Sequence, residues 1–192
     1  MISTILWLFL AVAVADDTSE TKLEQLATSG STVYVLCFSE TGNITRLNDK
    51  VVTEAMFITD SQGTIQEKGV RVCVEDDVRS NCTFVDYDEI EDLISGIEEL
   101  NKIEPDNLPF PSFKAVYETR GALRVKHFSV MRGNMASVSS GRIAPVEVLI
   151  ADTDLRSLLM HVDNARLALL EKPKEEEQPK ESESSEGDDD WY

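Results

Sequence analysis

Two stretches of this chain place apolar side chains at the spacing of a helix face. Ile90, Leu93, Ile94, Ile97 and Leu100 form the first stripe, and Leu155, Leu158, Leu159, Val162 and Ala165 the second, each lying on one side of a 3.6-residue turn. The stripes superimpose at a constant offset of 65 residues. Asp86 and Asp88 stand before the first stripe, and Asp152 and Asp154 before the second. They suit N-caps and the positive end of the helix dipole.

Upstream of each stripe the chain alternates or clusters as strands. The first set is Thr32–Phe38, Val51–Thr59, Gly69–Val74 and Cys82–Val85, with turns expected at Thr41-Gly42-Asn43 and Ser61-Gln62-Gly63. The second is Phe113–Glu118, Leu123–Met131, Met135–Ser139 and Val146–Ile150, broken at Arg120-Gly121, Arg132-Gly133-Asn134 and Ser140-Gly141. Pro105, Pro109 and Pro111 mark the join. The pattern predicts an α+β fold of two similar halves, 31–106 and 107–170. Each is an antiparallel β-meander followed by one amphipathic helix packed on a sheet face, and an internal repeat is one origin for them.

The two ends read differently. Ile5 to Val14 is an apolar run, and Ala13-Val14-Ala15 places small residues before Asp16-Asp17, the pattern of a signal peptide over residues 1–15. The run falls short of the ~20 residues that span a bilayer. The expected product is therefore secreted, to the extracellular space or a bacterial periplasm, with no membrane attachment after cleavage. Residues 16–30 are polar, with at most a helical turn around Leu23 and Leu26. Residues 171–192 carry ten acids and three bases and nothing apolar before Trp191, which predicts a disordered acidic tail.

Charge narrows the partners. The chain has 36 acids against 18 bases, a net charge of −18, a field that disfavours nucleic acid and acidic lipid. The balance is −14 over residues 16–106 but +3 over 107–170. Arg120, Arg124, Lys126, Arg132 and Arg142 cluster on one expected hairpin and its neighbouring turns. They form a candidate interaction site for an acidic partner, either the protein's own tail or an unknown protein.

Export implies an oxidising compartment, and three cysteines make an odd count. Cys73 and Cys82 flank a polar connection and are expected to pair across a hairpin, leaving Cys37, amid Val33–Phe38, as a buried inert thiol. Asn43 and Asn81 head two glycosylation sequons at expected turns. No Cys-x-x-Cys pair or His-rich segment suggests a metal ligand set, and no Gly-rich cradle suggests a nucleotide cofactor.

The chain has two histidines, His127 and His161, and no Ser, His and acid stand in a spacing that suggests a triad. These features favour a non-enzymatic binding or interaction protein. The alternatives are a small extracytoplasmic enzyme using Cys37 or His127, and capture of divalent cations or a basic partner by the acidic tail. N-terminal sequencing of exported material is expected to begin at Asp16; a membrane-bound product starting at Met1 would show an uncleaved anchor instead.

Overall fold

The structure, a computed structural model, describes residues 20–28, 33–131 and 133–171. After a short helix α1 (Lys22–Thr28), four strands follow: β1 (Tyr34–Arg46), β2 (Asp49–Asp60), β3 (Ile65–Glu75) and β4 (Ser80–Asp86). A 3-10 turn (Tyr87–Glu89) leads into α2 (Ile90–Asn101), and the proline-bearing connection holds a second such turn (Pro105–Asn107). The chain continues through β5 (Lys114–Glu118), β6 (Leu123–Val130), β7 (Gly133–Ser140), β8 (Val146–Ala151) and α3 (Asp154–Leu170). This is an α+β fold with two antiparallel four-stranded sheets, ordered β1-β2-β3-β4 and β5-β6-β7-β8.

Side-chain alternation gives each sheet one apolar face. In the first sheet Val51, Thr53 and Ala55 of β2 stand opposite Val74, Val72 and Val70 of β3; Val85 of β4 pairs with Val70. In the second, Leu123, Val125 and His127 of β6 stand opposite Ser140, Val138 and Ala136 of β7, with Val146, Val148 and Ile150 of β8 beyond them. The two faces contribute to a single core cluster that also takes Ile90, Leu93 and Ile97 of α2 and Leu155, Leu158 and Val162 of α3.

The helices do not sit on the sheets that precede them. α2, which follows the first sheet, packs on β5 and β6, whereas α3, which follows the second, packs on β1, β2 and β3. The helices touch each other, and Arg166 of α3 donates to Glu91 of α2 at 3.0 Å. Elsewhere the sheets meet directly, β3 and β4 against β7, β3 against β8, and β4 against β6. The approach is close there. The Thr83 and Ser140 hydroxyls share a buried hydrogen bond, and a Cβ on Gly121 would lie 2.2 Å from the Phe84 carbonyl oxygen.

α1 covers the opposite face of the first sheet. Its Leu23 is fully buried with Met56 and Ile58, and its start is a capping box. The Thr21 hydroxyl accepts from Glu24 N–H at 3.1 Å, and the Glu24 carboxylate accepts from Thr21 N–H at 2.9 Å.

Several local expectations are corrected. Thr41-Gly42-Asn43 is not a turn: β1 runs on to Arg46 with a bulge between Glu40 and Gly42. Glycine is required because the His161 ring lies 2.1 Å from where a Cβ would be. The Asp residues ahead of the helices do not cap them by side chain. Asp86 instead accepts the N–H groups of Lys22 and Leu23, at 2.9 and 3.2 Å, and so holds α1. Cys37 is exposed, not buried; it lies on β1, an edge strand of the first sheet. Cys73 and Cys82 are joined by a disulfide between directly paired positions of β3 and β4, with Cα atoms 4.0 Å apart. The short loop it closes adds about 2–3 kcal/mol.

Because each sheet is closed by the other half's helix, Leu158→Asp and Leu93→Asp should each lower stability by about 3 kcal/mol or more, and each should do so within one cooperative transition. Denaturant unfolding followed by circular dichroism and by the fluorescence of Tyr34, Tyr87 and Tyr117 checks this. Two separated transitions in either variant would contradict the shared core.

Candidate functional site

The start of α3 is where the helices, the second sheet and the connecting segments converge. The last residue of α2, Asn101, and Ile103 beyond it come from one side, His127 and Asn134 from β6 and β7, and Asp152, Thr153 and Arg156 from the turn into α3. Together they line an open cleft of about 260 Å³. That is slightly below the usual size of drug-sized ligand sites, so only a small molecule fits it.

His127 is its buried wall, 4% exposed. The residue belongs to the apolar face of β6, so the sequence places an imidazole where its neighbours place Leu123 and Val125. Its Nδ1 lies 2.9 Å from the Leu100 carbonyl at the end of α2, and Phe113 meets the ring edge-on with centroids 5.1 Å apart. A carbonyl can only accept, so in the neutral ring Nδ1 carries the proton and Nε2 presents a lone pair. That Nε2 is buried with no hydrogen-bond partner.

Apart from one contact between Asp152 and Thr153, the other polar side chains of the cavity have no hydrogen bond to one another. Thr153 forms no side-chain cap, and the Leu155 N–H is held by the Asp152 carbonyl at 3.1 Å. Asp152 accepts the N–H of Thr153 on Oδ1, at 2.8 Å, and keeps Oδ2 free. Among the described residues the side chains of Arg156, Asn101 and Asn134 have no hydrogen-bond or ion-pair partner.

A second cavity, of about 370 Å³, lies on the other side of the same turn, with Thr153 common to both. Asn43, Arg46, Ser157 and His161 line it. Asp154 here is already engaged, accepting the N–H of Ala151 at 2.9 Å with Arg46 4.0 Å away. His161 is packed on Gly42, its backbone carbonyl accepts from the Thr41 hydroxyl at 3.0 Å, and its Nδ1 is buried without a partner. Burial holds this imidazole below the ordinary histidine range, partly opposed by the negative charge of Glu40.

The basic cluster is distributed over internal ion pairs. Arg120 donates through its backbone N–H to Glu89 at 2.7 Å and through its guanidinium to Asp88 at 2.7 Å and Glu89 at 3.3 Å, with Asp86 3.9 Å away. Its hydrogen bond holds the Asp88 carboxyl below the usual range. Arg124 pairs with Glu118, Lys126 with Glu147, and Arg142 with Glu24 and the Arg120 carbonyl. Arg132, like the acidic tail beyond Glu171 and the signal-like segment, lies outside the described residues.

Cys37 and the histidines are not assembled into a pair. His127 has one nitrogen on Leu100 and the other unpartnered, so neither reaches the thiol. Asn43 is exposed, whereas Asn81 is half-buried with its side-chain amide against the backbone of Gly141. No cluster of three or more His, Cys, Asp or Glu side chains with metal-binding geometry occurs among the described residues.

No protein-family model matches the chain, and no curated protein matches it. Sequence reasoning named His127 but not Asn101, Asn134, Asp152 or Arg156 as its companions. The one available signal was a histidine in step with the core face of a strand.

The His161 environment sets a pH dependence. An unfolded imidazole titrates near 6.5, and the folded one lies lower, so the stability contribution is complete above the unfolded value. It is lost as pH falls from there toward the folded value, because the unfolded chain takes up the proton first. Urea unfolding at pH values between about 7.5 and 5.5 is expected to show falling stability, with a shallower slope in His161→Gln. An unchanged slope in that variant would assign the loss to other groups.

Proposed function

We propose that this protein is an exported, non-enzymatic binding protein whose recognition site is the cavity at the start of α3. The supporting observation is the cavity that Asn101, Asn134, Asp152 and Arg156 line together with His127, whose buried Nε2 has no partner. A native core seldom leaves a buried nitrogen unsatisfied without a structural or functional reason. An unassembled thiol and imidazole favour binding over nucleophilic catalysis, since an activated nucleophile needs a base within hydrogen-bond reach.

Export is part of the same reading. The cross-strand disulfide fits an oxidising compartment, and among the described residues no helix is long and apolar enough to cross a membrane. Cleavage after Ala15 and glycosylation at Asn43 belong to this proposal, with Asn81 a poorer acceptor while its amide rests on Gly141. The common strand order of the two sheets, each followed by a helix, supports a repeated unit as the origin of the fold.

The reading assigns recognition to the cavity in preference to the basic hairpin. Arg120, Arg124, Lys126 and Arg142 already have carboxylate partners, which an acidic tail or outside protein would have to displace. Exposed pairs contribute only about 0.2–1 kcal/mol each, so such exchange would be weak and salt-sensitive.

The test is ligand-observed NMR on the full exported chain against small polar compounds, each recovered and analysed after prolonged incubation. Bound compounds are expected to return chemically unchanged. Conversion of any compound that is abolished by Cys37→Ser or His127→Gln would overturn the non-enzymatic assignment.

A further inference from the structure

We infer that the cavity at the start of α3 takes a zwitterionic small molecule, a free α-amino acid, with its carboxylate at Arg156 and its ammonium between Asp152 and His127. This rests on the binding reading above and specifies its ligand. Groups of two kinds line the cavity. One is the Arg156 guanidinium, exposed and without an ion-pair partner among the described residues, which favours a carboxylate. Asp154, the nearest acid on the helix, is turned to the other cavity and engaged by Ala151 N–H.

The other kind consists of acceptors, Asp152 and His127. Asp152 keeps Oδ2 free after Oδ1 takes the Thr153 N–H. His127 adds Nε2, which in the neutral ring presents a lone pair when Nδ1 donates to the Leu100 carbonyl. A carboxylate acid paired with a bare imidazole acceptor calls for a cationic donor with several N–H bonds, which an ammonium supplies and a hydroxyl does not. An anion alone would leave Asp152 opposed to it, and a cation alone would leave Arg156 unmatched. The Asn101 and Asn134 amides and the flank of Ile103 line the remainder of the space, which at about 260 Å³ admits a short side chain that is polar or modestly apolar.

The experiment is calorimetry and amide NMR on the full exported chain at neutral pH. The probes are glycine, serine, asparagine, alanine and aspartate, with lactate and ethanolamine as partners carrying one pole each. Serine, asparagine or alanine is expected to bind and to shift the amides of Asn134, Thr153 and Arg156. Lactate and ethanolamine should bind at least about tenfold more weakly, the loss expected on removing one charged hydrogen-bonding group. Arg156→Gln should weaken amino-acid binding by about tenfold or more, as should Asp152→Asn, which retains an Oδ1 acceptor for Thr153; both alter solvent-accessible side chains and should preserve the melting profile. Lactate or ethanolamine binding as tightly as serine, or amino-acid affinity indifferent to both substitutions, would overturn the zwitterionic assignment while leaving a binding cavity. A cavity whose amides respond to none of the probes overturns the assignment, and failure of the broader panel of polar compounds as well would overturn the binding reading.

Discussion

A sheet with one apolar face must have that face covered, and in this chain the cover for each sheet is supplied from the far half of the sequence. α3 closes β1–β3, and α2 closes β5 and β6. The remaining parts of the two faces close on one another through β3 and β4 against β7 and β8. The consequence is a core with no internal boundary at the proline-bearing connection. It also places helix ends at seams between elements distant in sequence, and such seams are where polar cavities form. Asn101 marks the end of one exchanged helix and Arg156 the first turn of the other.

The uneven charge of the chain follows from the same arrangement. Bases of the second half are used to hold acids of the first. Arg120 gathers Asp86, Asp88 and Glu89 at the corner before α2, and Arg142 reaches Glu24 of α1. Asp86 and Glu89 are buried. Removing the guanidinium would leave their charge poorly compensated, a larger loss than any exposed pair represents. Arg120 and Arg142, two of the eight bases in residues 107–170, are thus counterparts of buried or half-buried carboxylates before them, whereas Arg124 and Lys126 pair within the second half.

Elements with strong local periodicity were legible in the sequence. Both helices lie where their stripes placed them, every strand but β1 lies within a few residues of its run, and the Cys73–Cys82 pair follows from two β-runs joined by a short polar loop. What depended on distant partners was not. Gly42 resembled a turn residue because its requirement comes from His161, over a hundred positions away. Asp86 resembled a cap for the helix that follows it, yet it serves α1, whose docking no local pattern announces. Cys37 sits in an apolar run, and a run does not reveal whether its strand is central or at an edge. The cavity was legible only as His127 out of keeping with its neighbours, because Asn101, Asn134 and Arg156 look like ordinary surface residues until the helices are placed.

The exchange of helices also has a meaning in time. A ribosome delivers this chain from β1 onward, so the first sheet is complete while its covering helix is still more than sixty residues from being made. Throughout that interval Val51, Ala55, Val70 and Val72 have no permanent neighbour. Contacts of such long separation make folding slow and leave apolar surface open to aggregation. The apolar face of the first sheet therefore stays uncovered until the C-terminal helix arrives, and a chain truncated before α3 lacks that cover altogether.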